Sequence, residues 1–300
     1  MSSPKNRRWI FAILVATVFP AIAVHVSCVA ALGPGTWGSG LEEKLPEILS
    51  LSANPQAQAY AREFSQRAEQ GGGPVLPEVP GSEAPWKGKA GWTDSHQGWW
   101  VIQTHEGETW TQGQHLYLWN EPSGDLEEIP LPAGWIVENP AWIERGGHAE
   151  VVYGRWNSWA LSPAGKLERY MRSWLDPQLR PEFSLYIYDP FSKVTSYAGP
   201  GHSLVVSPDR RHGVMLRSGA LGAGYYSVHV WEFASNQMQA VLSLREIDEG
   251  SGRSFTYRWS LDSRAIEIKG ATGGFERRKR EPRHFNLIYL LGGQQVYEVE

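Results

Sequence analysis

Few residues in this chain have the types and spacing that chemistry demands. His96, His105 and His115 recur at nine- and ten-residue intervals with Asp94 and Glu106 nearby. A zinc site needs its ligands on converging elements, and no short His-x-His or His-x-x-x-His pair occurs here, so they read as solvated or strand-face histidines. Gly201-His202-Ser203 starts like a nucleophile elbow, but Val205 holds the second glycine position and a strand pattern follows where a helix is required. Residues 219–224 (GALGAG) lack the Lys-Ser/Thr of a phosphate loop. Asp209 and Asp262 sit at turns, where an aspartate commonly bonds its own backbone two residues on. The basic run 276–284 (ERRKREPRH) reads as a solvated loop, or as a contact for an acidic partner or anionic envelope polymer. No catalytic residue, metal ligand or cofactor site is assigned, and the reading leans away from an enzyme.

Aromatic residues carry the functional hint. Of 15 Trp, 11 fall between Trp86 and Trp174. Trp99, Trp119 and Trp142 lie in strand-like stretches and read as packing residues, since one aromatic side chain buries about 150–250 Å². Trp110, Trp135 and Trp156 fall in predicted loops. With Tyr225 and Trp174 they form the expected ligand-binding set, flat rings able to stack on a sugar or anchor a protein partner.

The elements that would position these rings are short strands. One hairpin type runs through Trp92-Thr93-Asp94 to Trp99-Trp100-Val101-Ile102, through Ala141-Trp142-Ile143 to Val151-Val152-Tyr153, through Leu204-Val205-Val206 to Val214-Met215-Leu216, and through residues 257–269 (YRWSLDSRAIEIK). Aligned on expected turns at Asp94, Gly146, Asp209 and Asp262, the copies recur after 52, 63 and 53 residues. A second type alternates with it, at residues 116–120, 185–189, 228–232 and 287–290, each followed by a tight turn of Ser, Gly, Asn or Lys. Together they predict an all-β domain of four units, each of four antiparallel strands, which is how a β-propeller is written. A two-sheet sandwich is the competing architecture. Four units leave unpaired edges unless the ring closes, a helix covers an edge, or two chains complete one ring.

SLVVSPDRRHGVML and YRWSLDSRAIEI resemble the Ser-Pro-Asp-x-[Arg/Lys] repeats of TolB-like and other WD-type propellers. The resemblance is clearest in the last two units; Gly146 replaces the Asp in the second, and Leu261 replaces the Pro in the fourth. It implies a propeller-like fold, and such propellers usually have six or seven blades.

Residues 41–70 have a helical pattern, with Asn54 capping, Pro55 opening, and Tyr60, Phe64 and Ala68 spaced by four. The thin apolar face suits a stalk or a helix docked on the β-domain. Residues 71–85 form a Gly/Pro linker, and the folded domain is expected over 86–300. A helical insertion over 162–176, apolar at Leu167, Tyr170, Met171, Trp174 and Leu175, reads as an edge cover or a lid.

Behind Lys5, Arg7 and Arg8, residues 9–32 form a 24-residue apolar stretch containing the single cysteine, Cys28. That length fits an uncleaved membrane anchor, with cleavage after Ala31 as the alternative; either way the basic residues stay cytoplasmic and the remainder is exported. One cysteine excludes a disulfide framework. Three of the 28 Lys and Arg precede Trp9, so the exported part is acidic against 32 Asp and Glu, which argues against nucleic acid. The expected function is an exported, membrane-anchored binding or scaffold protein of the cell envelope with a protein or glycan partner. An envelope hydrolase or lyase is the alternative.

Overall fold

The computed structural model describes residues 48–71, 84–109, 112–131, 135–157, 183–218, 226–243, 254–272 and 283–299. The apolar stretch 9–32, the linker core 72–83 and the helical insertion expected at 162–176 lie outside the described residues. So do Trp110, Trp174 and Tyr225, the loop 219–224 and most of the basic run.

Four sheets follow one another along the chain. The first holds β2 (Lys89–His96), β3 (Trp99–His105), β4 (Gln114–Asn120) and β5 (Leu126–Ile129). The second holds β6 (Trp135–Arg145), β7 (His148–Asn157), β8 (Phe183–Asp189) and β9 (Val194–Pro200). The third holds β10 (His202–Val206), β11 (His212–Ser218), β12 (Tyr226–Glu232) and β13 (Gln237–Ser243). The fourth holds β14 (Ser254–Trp259), β15 (Ala265–Thr272), β16 (Arg283–Leu290) and β17 (Gln295–Glu298). Each is an antiparallel meander in sequence order, so all four are propeller-type blades.

Strand periodicity explains the packing. Both faces of a middle strand are buried, so its two alternating sets of side chains enter two different cores. Val101, Leu116 and Leu118 meet Val137, Val151 and Tyr153 between the first and second sheets. Ile143, Val152 and Ile187 meet Leu204, Met215 and Trp231 between the second and third. Val214, Val228 and Val230 meet Ile266, Ile268 and Tyr289 between the third and fourth. Among the described residues no apolar cluster joins the first sheet to the fourth.

Hydrogen bonds at the turn end stitch the series together. Trp142 N–H donates to Asp94 Oδ2 (2.9 Å), Glu144 N–H to the Arg210 carbonyl (2.9 Å), and Asp209 N–H to Ser263 Oγ (2.9 Å). Arg210 also reaches back to the first sheet: Nη1 donates to Asp94 Oδ2 at 2.6 Å and Nη2 to Asp94 Oδ1 at 3.0 Å and the Ser95 carbonyl at 2.7 Å.

The turns at Asp209 and Asp262 match bond for bond. Ser207 Oγ lies 2.5 Å from Asp209 Oδ1 and accepts the His212 N–H; Ser260 Oγ lies 2.7 Å from Asp262 Oδ1 and accepts the Ala265 N–H. The first unit differs from expectation. Asp94 is within β2, and the turn is Gln97-Gly98, whose φ of 50° and 82° match Gly146-Gly147 at 60° and 82°. Two-residue turns with both φ positive suit the twist of a hairpin.

The N-terminal segment 41–70 is helical only in part. Residues 48–50 form β1 (Ile48–Ser50), which pairs in parallel with β17, and a single tight turn leads into α1 (Pro55–Glu69). The Asn54 side chain caps α1 by accepting the N–H groups of Gln56 and Ala57, and donates to the Tyr297 hydroxyl at 2.8 Å. Ala57, Tyr60 and Phe64 pack on Ala265, Ile288, Leu290 and Tyr297, so α1 is docked on the fourth sheet and is not a stalk. Among the described residues no helix is long and apolar enough to cross a membrane.

Candidate functional site

Two of the five expected ligand-binding residues, Trp135 and Trp156, are described, and both are in strands rather than loops. Trp135 opens β6 and Trp156 lies near the end of β7. The interruption that makes residues 135–143 look like a loop is a bulge between Glu138 and Ala141, where Asn139 has φ 44° and Pro140 follows. Trp135 stands opposite Asn157 and Ile136 opposite Trp156, so the two indoles occupy opposite faces of the second sheet. The structure does not bring them together.

What lies beside Trp135 is Arg155. On β7 the face toward the first sheet carries Val151, Tyr153 and Arg155 in period-two succession, and Arg155 pairs with Val137 on one side and Ser184 on the other. Its guanidinium carbon is 4.4 Å from the Trp135 ring centroid and 4.2 Å from that of Tyr186. Tyr186 in turn stacks on Tyr153 at 6.0 Å and meets Tyr197 edge-on at 5.7 Å. Arg155 is 8% exposed, and its enclosed Nε–H has no hydrogen-bond partner among the described residues. Burial pushes the Tyr153 phenol up, offset in part by Thr195 and Arg155 beside it. The phenol therefore stays neutral and available as a donor at physiological pH.

This cluster lies where the first strand of the sheet starts and the second ends. The connections containing Trp110, Trp174 and Tyr225 likewise follow the second strands of the first, second and third sheets.

A second group lies at the same end of β6 and β10. Burial raises the Glu138 carboxyl above the usual carboxylate range, although the Ser203 backbone N–H donates to it. Asn139 Nδ2 donates to the Leu204 carbonyl at 3.4 Å. His202 Nδ1 lies 3.0 Å from Ser203 Oγ, and burial lowers its pKa to about 4, so the ring is neutral at pH 7. Ser203 itself has φ 53°, an unusual backbone for a residue with a side chain. β10 continues as a strand, so this is not an elbow leading into a helix.

The three spaced histidines are separated. His115 bonds Glu128 at 2.8 Å and pairs with Glu106 at 3.3 Å, His105 bonds the Gly107 carbonyl, and His96 lies against Trp142. Among the described residues no three His, Cys, Asp or Glu side chains converge as metal ligands. A cleft of about 460 Å³ beside α1 is lined by Ser50, Leu51, Gln58, Ala61 and Arg62, with no acid and base facing each other.

Sequence reasoning missed Arg155, Glu138 and the Asp94–Arg210 pair. For Arg155 there was a signal: a charged residue at an inward position of an otherwise apolar alternation. For Glu138 the signal was Asn139-Pro140 breaking a strand, which marks a bulge. For Asp94–Arg210 there was none, because the partners come from different sheets.

No family model matches this chain, and no curated protein matches it in sequence. Among solved structures it has distant similarity to β-propeller proteins. The tricorn protease is 10% identical, with a TM-score of 0.32, over 67% of this chain and 20% of that one. The β-propeller domain of the Trilobed protease from Pyrococcus furiosus is 13% identical, with a TM-score of 0.33, over 57% and 45%. YjhT is 14% identical, with a TM-score of 0.38, over 66% and 67%. The chain thus spans less than half the length of the first two, and the likeness is one of blade architecture alone.

Proposed function

We propose that this chain is a binding module: an exported, membrane-anchored β-propeller-like scaffold whose loop end holds a protein or glycan partner of the cell envelope. The observation that supports it most is the Arg155 cluster, where a buried cation and four aromatic rings meet with no carboxylate pair or histidine group among the described residues. Hydrolysis needs at least two titratable groups facing one reacting bond, whereas recognition needs flat apolar surface and a few fixed polar groups. Anchoring through residues 9–32 would keep this surface outside the cytoplasmic membrane.

The test is cosedimentation of the purified full-length chain with isolated envelope fractions, alongside protease accessibility of its C-terminus in spheroplasts. Retention on envelope material, abolished by digesting either its glycan or its protein, is the expected outcome. A chain that stays in the supernatant, or whose C-terminus is shielded by the intact membrane, overturns the reading.

A second reading, an envelope hydrolase or lyase, draws on Glu138. A carboxyl raised by burial beside a neutral imidazole is suited to general acid chemistry. Turnover of envelope polymer that is lost in Glu138→Gln would favour it.

A further inference from the structure

We infer that Arg155 anchors a carboxylate-binding site whose ligand is an acidic sugar, an inference that rests on the binding-module reading and names its ligand class. The argument begins with an internal contrast. Arg210 and Arg258 are partly withdrawn from solvent, and each is neutralised: Arg210 by Asp94 at 2.6 Å, Arg258 by Glu267 at 2.5 Å. Arg155 is more deeply buried than either, yet no carboxylate pairs with it among the described residues. A buried charge normally requires a partner, because the hydration it gives up must be replaced. Contact with the Trp135 and Tyr186 rings offsets that cost only in part, since neither ring supplies a counter-charge or an acceptor for the in-plane N–H groups.

The geometry also selects the partner. The Trp135 and Tyr186 rings lie against the guanidinium carbon, Nε–H is enclosed and has no acceptor among the described residues, and the terminal N–H groups are the ones left to meet a ligand. In-plane donors in a fixed fork match a carboxylate held by two parallel bonds. One cation neutralises one carboxylate, whereas a phosphate monoester carries about −1.5 to −2 charges and calls for more than one. Trp135 is only half-buried, so a ligand ring meeting Arg155 can cover its remaining surface. A uronic acid presents its carboxylate and an apolar C–H face on one rigid ring, and so loses little freedom on binding. A glutamate side chain supplies the carboxylate on a flexible stem without that face.

The experiment is isothermal titration calorimetry of the full-length chain with a β-1,4-linked oligoglucuronate, the matching neutral cello-oligosaccharide, and an oligoglutamate of equal charge. The acidic sugar is expected to bind at least about tenfold tighter than the neutral one, the scale of one charge-assisted bidentate pair. Arg155→Gln should erase that preference. Arg155→Lys, which keeps the charge but loses the fork, should cut acidic-sugar affinity about tenfold. The wild-type sugar comparison decides the matter even where Arg155→Gln does not fold. Equal affinity for both sugars, or tighter binding of oligoglutamate, overturns the acidic-sugar assignment. Failure of all three probes while the chain still cosediments with envelope fractions overturns it and leaves the binding-module reading standing; loss of cosedimentation as well removes both.

Discussion

The two ends of the blade series are finished in different ways. The outer face of the fourth sheet is covered by a whole helix. Phe64 and Ala57 of α1 are fully buried against Ala265, Ile288 and Leu290, while β1 adds a parallel strand to the edge. Polar groups lock the same face: Arg258 pairs with buried Glu267, Arg67 donates to the Trp259 carbonyl, and Glu63 accepts the Leu261 N–H. Among the described residues the outer face of the first sheet has one indole instead. Trp86 covers Ile102 and Tyr117 and meets Trp119 edge-on at 5.6 Å, while Trp100 and Trp119 remain half-exposed. Its approach depends on Gly88, at φ 78°, where a Cβ would lie 2.6 Å from the His105 carbonyl oxygen. An exposed sheet face needs apolar cover to be stable, but the cover can be a folded element or a single large ring. The first is accompanied here by a short strand added at the sheet edge; the second leaves aromatic surface in contact with water.

The contrast can be broken by two substitutions. Phe64→Ala empties a fully enclosed site beneath α1 and is expected to cost about 3–5 kcal/mol in chemical denaturation. Trp86→Ala removes a larger side chain but is expected to cost less, about 2 kcal/mol, because Trp100 and Trp119 already touch solvent and no sealed cavity remains. If Trp86→Ala proves the more damaging, the first sheet is covered as tightly as the fourth and the contrast fails.

A third measurement asks what holds the thinly covered end in place. Arg210 comes from the turn of the third sheet yet bonds both oxygens of Asp94 in the first. Both side chains are about three-quarters withdrawn from solvent, so the pair is worth more than a surface salt bridge. A double-mutant cycle of Arg210→Ala and Asp94→Ala is expected to give a coupling of about 1.5 kcal/mol. A coupling near zero would mean that the first sheet is held by its direct interface with the second, the apolar cluster together with bonds such as Trp92 Nε1 to the Pro140 carbonyl and Gln103 Nε2 to the Val137 carbonyl.

The sequence made the strands legible where turn chemistry and alternation agree. Ser207-Pro208-Asp209 and Ser260-Leu261-Asp262 announce their turns because one side chain bonds the backbone within a few residues, a local event. Asp94-Ser95 looks alike but is not a turn: its carboxylate is committed to Arg210 and to the Trp142 N–H, partners that no local rule could supply. Trp135 and Trp156 look like loop residues for a related reason. The bulge at Asn139-Pro140 shifts the alternation, and the pairing of β6 with β7 resumes only beyond it. Asn54-Pro55 marked the start of α1, but where α1 docks depends on β15 and β16 at the far end of the chain. The Arg155 cluster was the least legible. Each ring is unremarkable in its own strand, and only cross-strand register gathers them.

The finest test of the contrast is a single hydroxyl. Tyr60 donates to Asp262 at 2.5 Å, tying α1 to the turn of the fourth sheet; no comparable polar tie fixes Trp86 among the described residues. Burial pushes the Asp262 carboxyl up, but hydrogen bonds from Ser260, Tyr60 and the Arg264 N–H outweigh it and hold the group below its ordinary value. A carboxylate depressed in the folded state adds stability that is complete above its unfolded pKa and lost as pH falls through the folded value. Tyr60→Phe is therefore expected to cost about 0.5–1 kcal/mol at pH 7, kept small by the exposure of Asp262. That cost should shrink in acid, below the usual aspartate range of about 4, once the carboxyl is protonated in both states. Denaturation of wild type and Tyr60→Phe across pH 2–7 measures it. A difference that stays constant with pH would mean that the hydroxyl contributes by packing and that the helical end, like the indole end, is held by apolar contact.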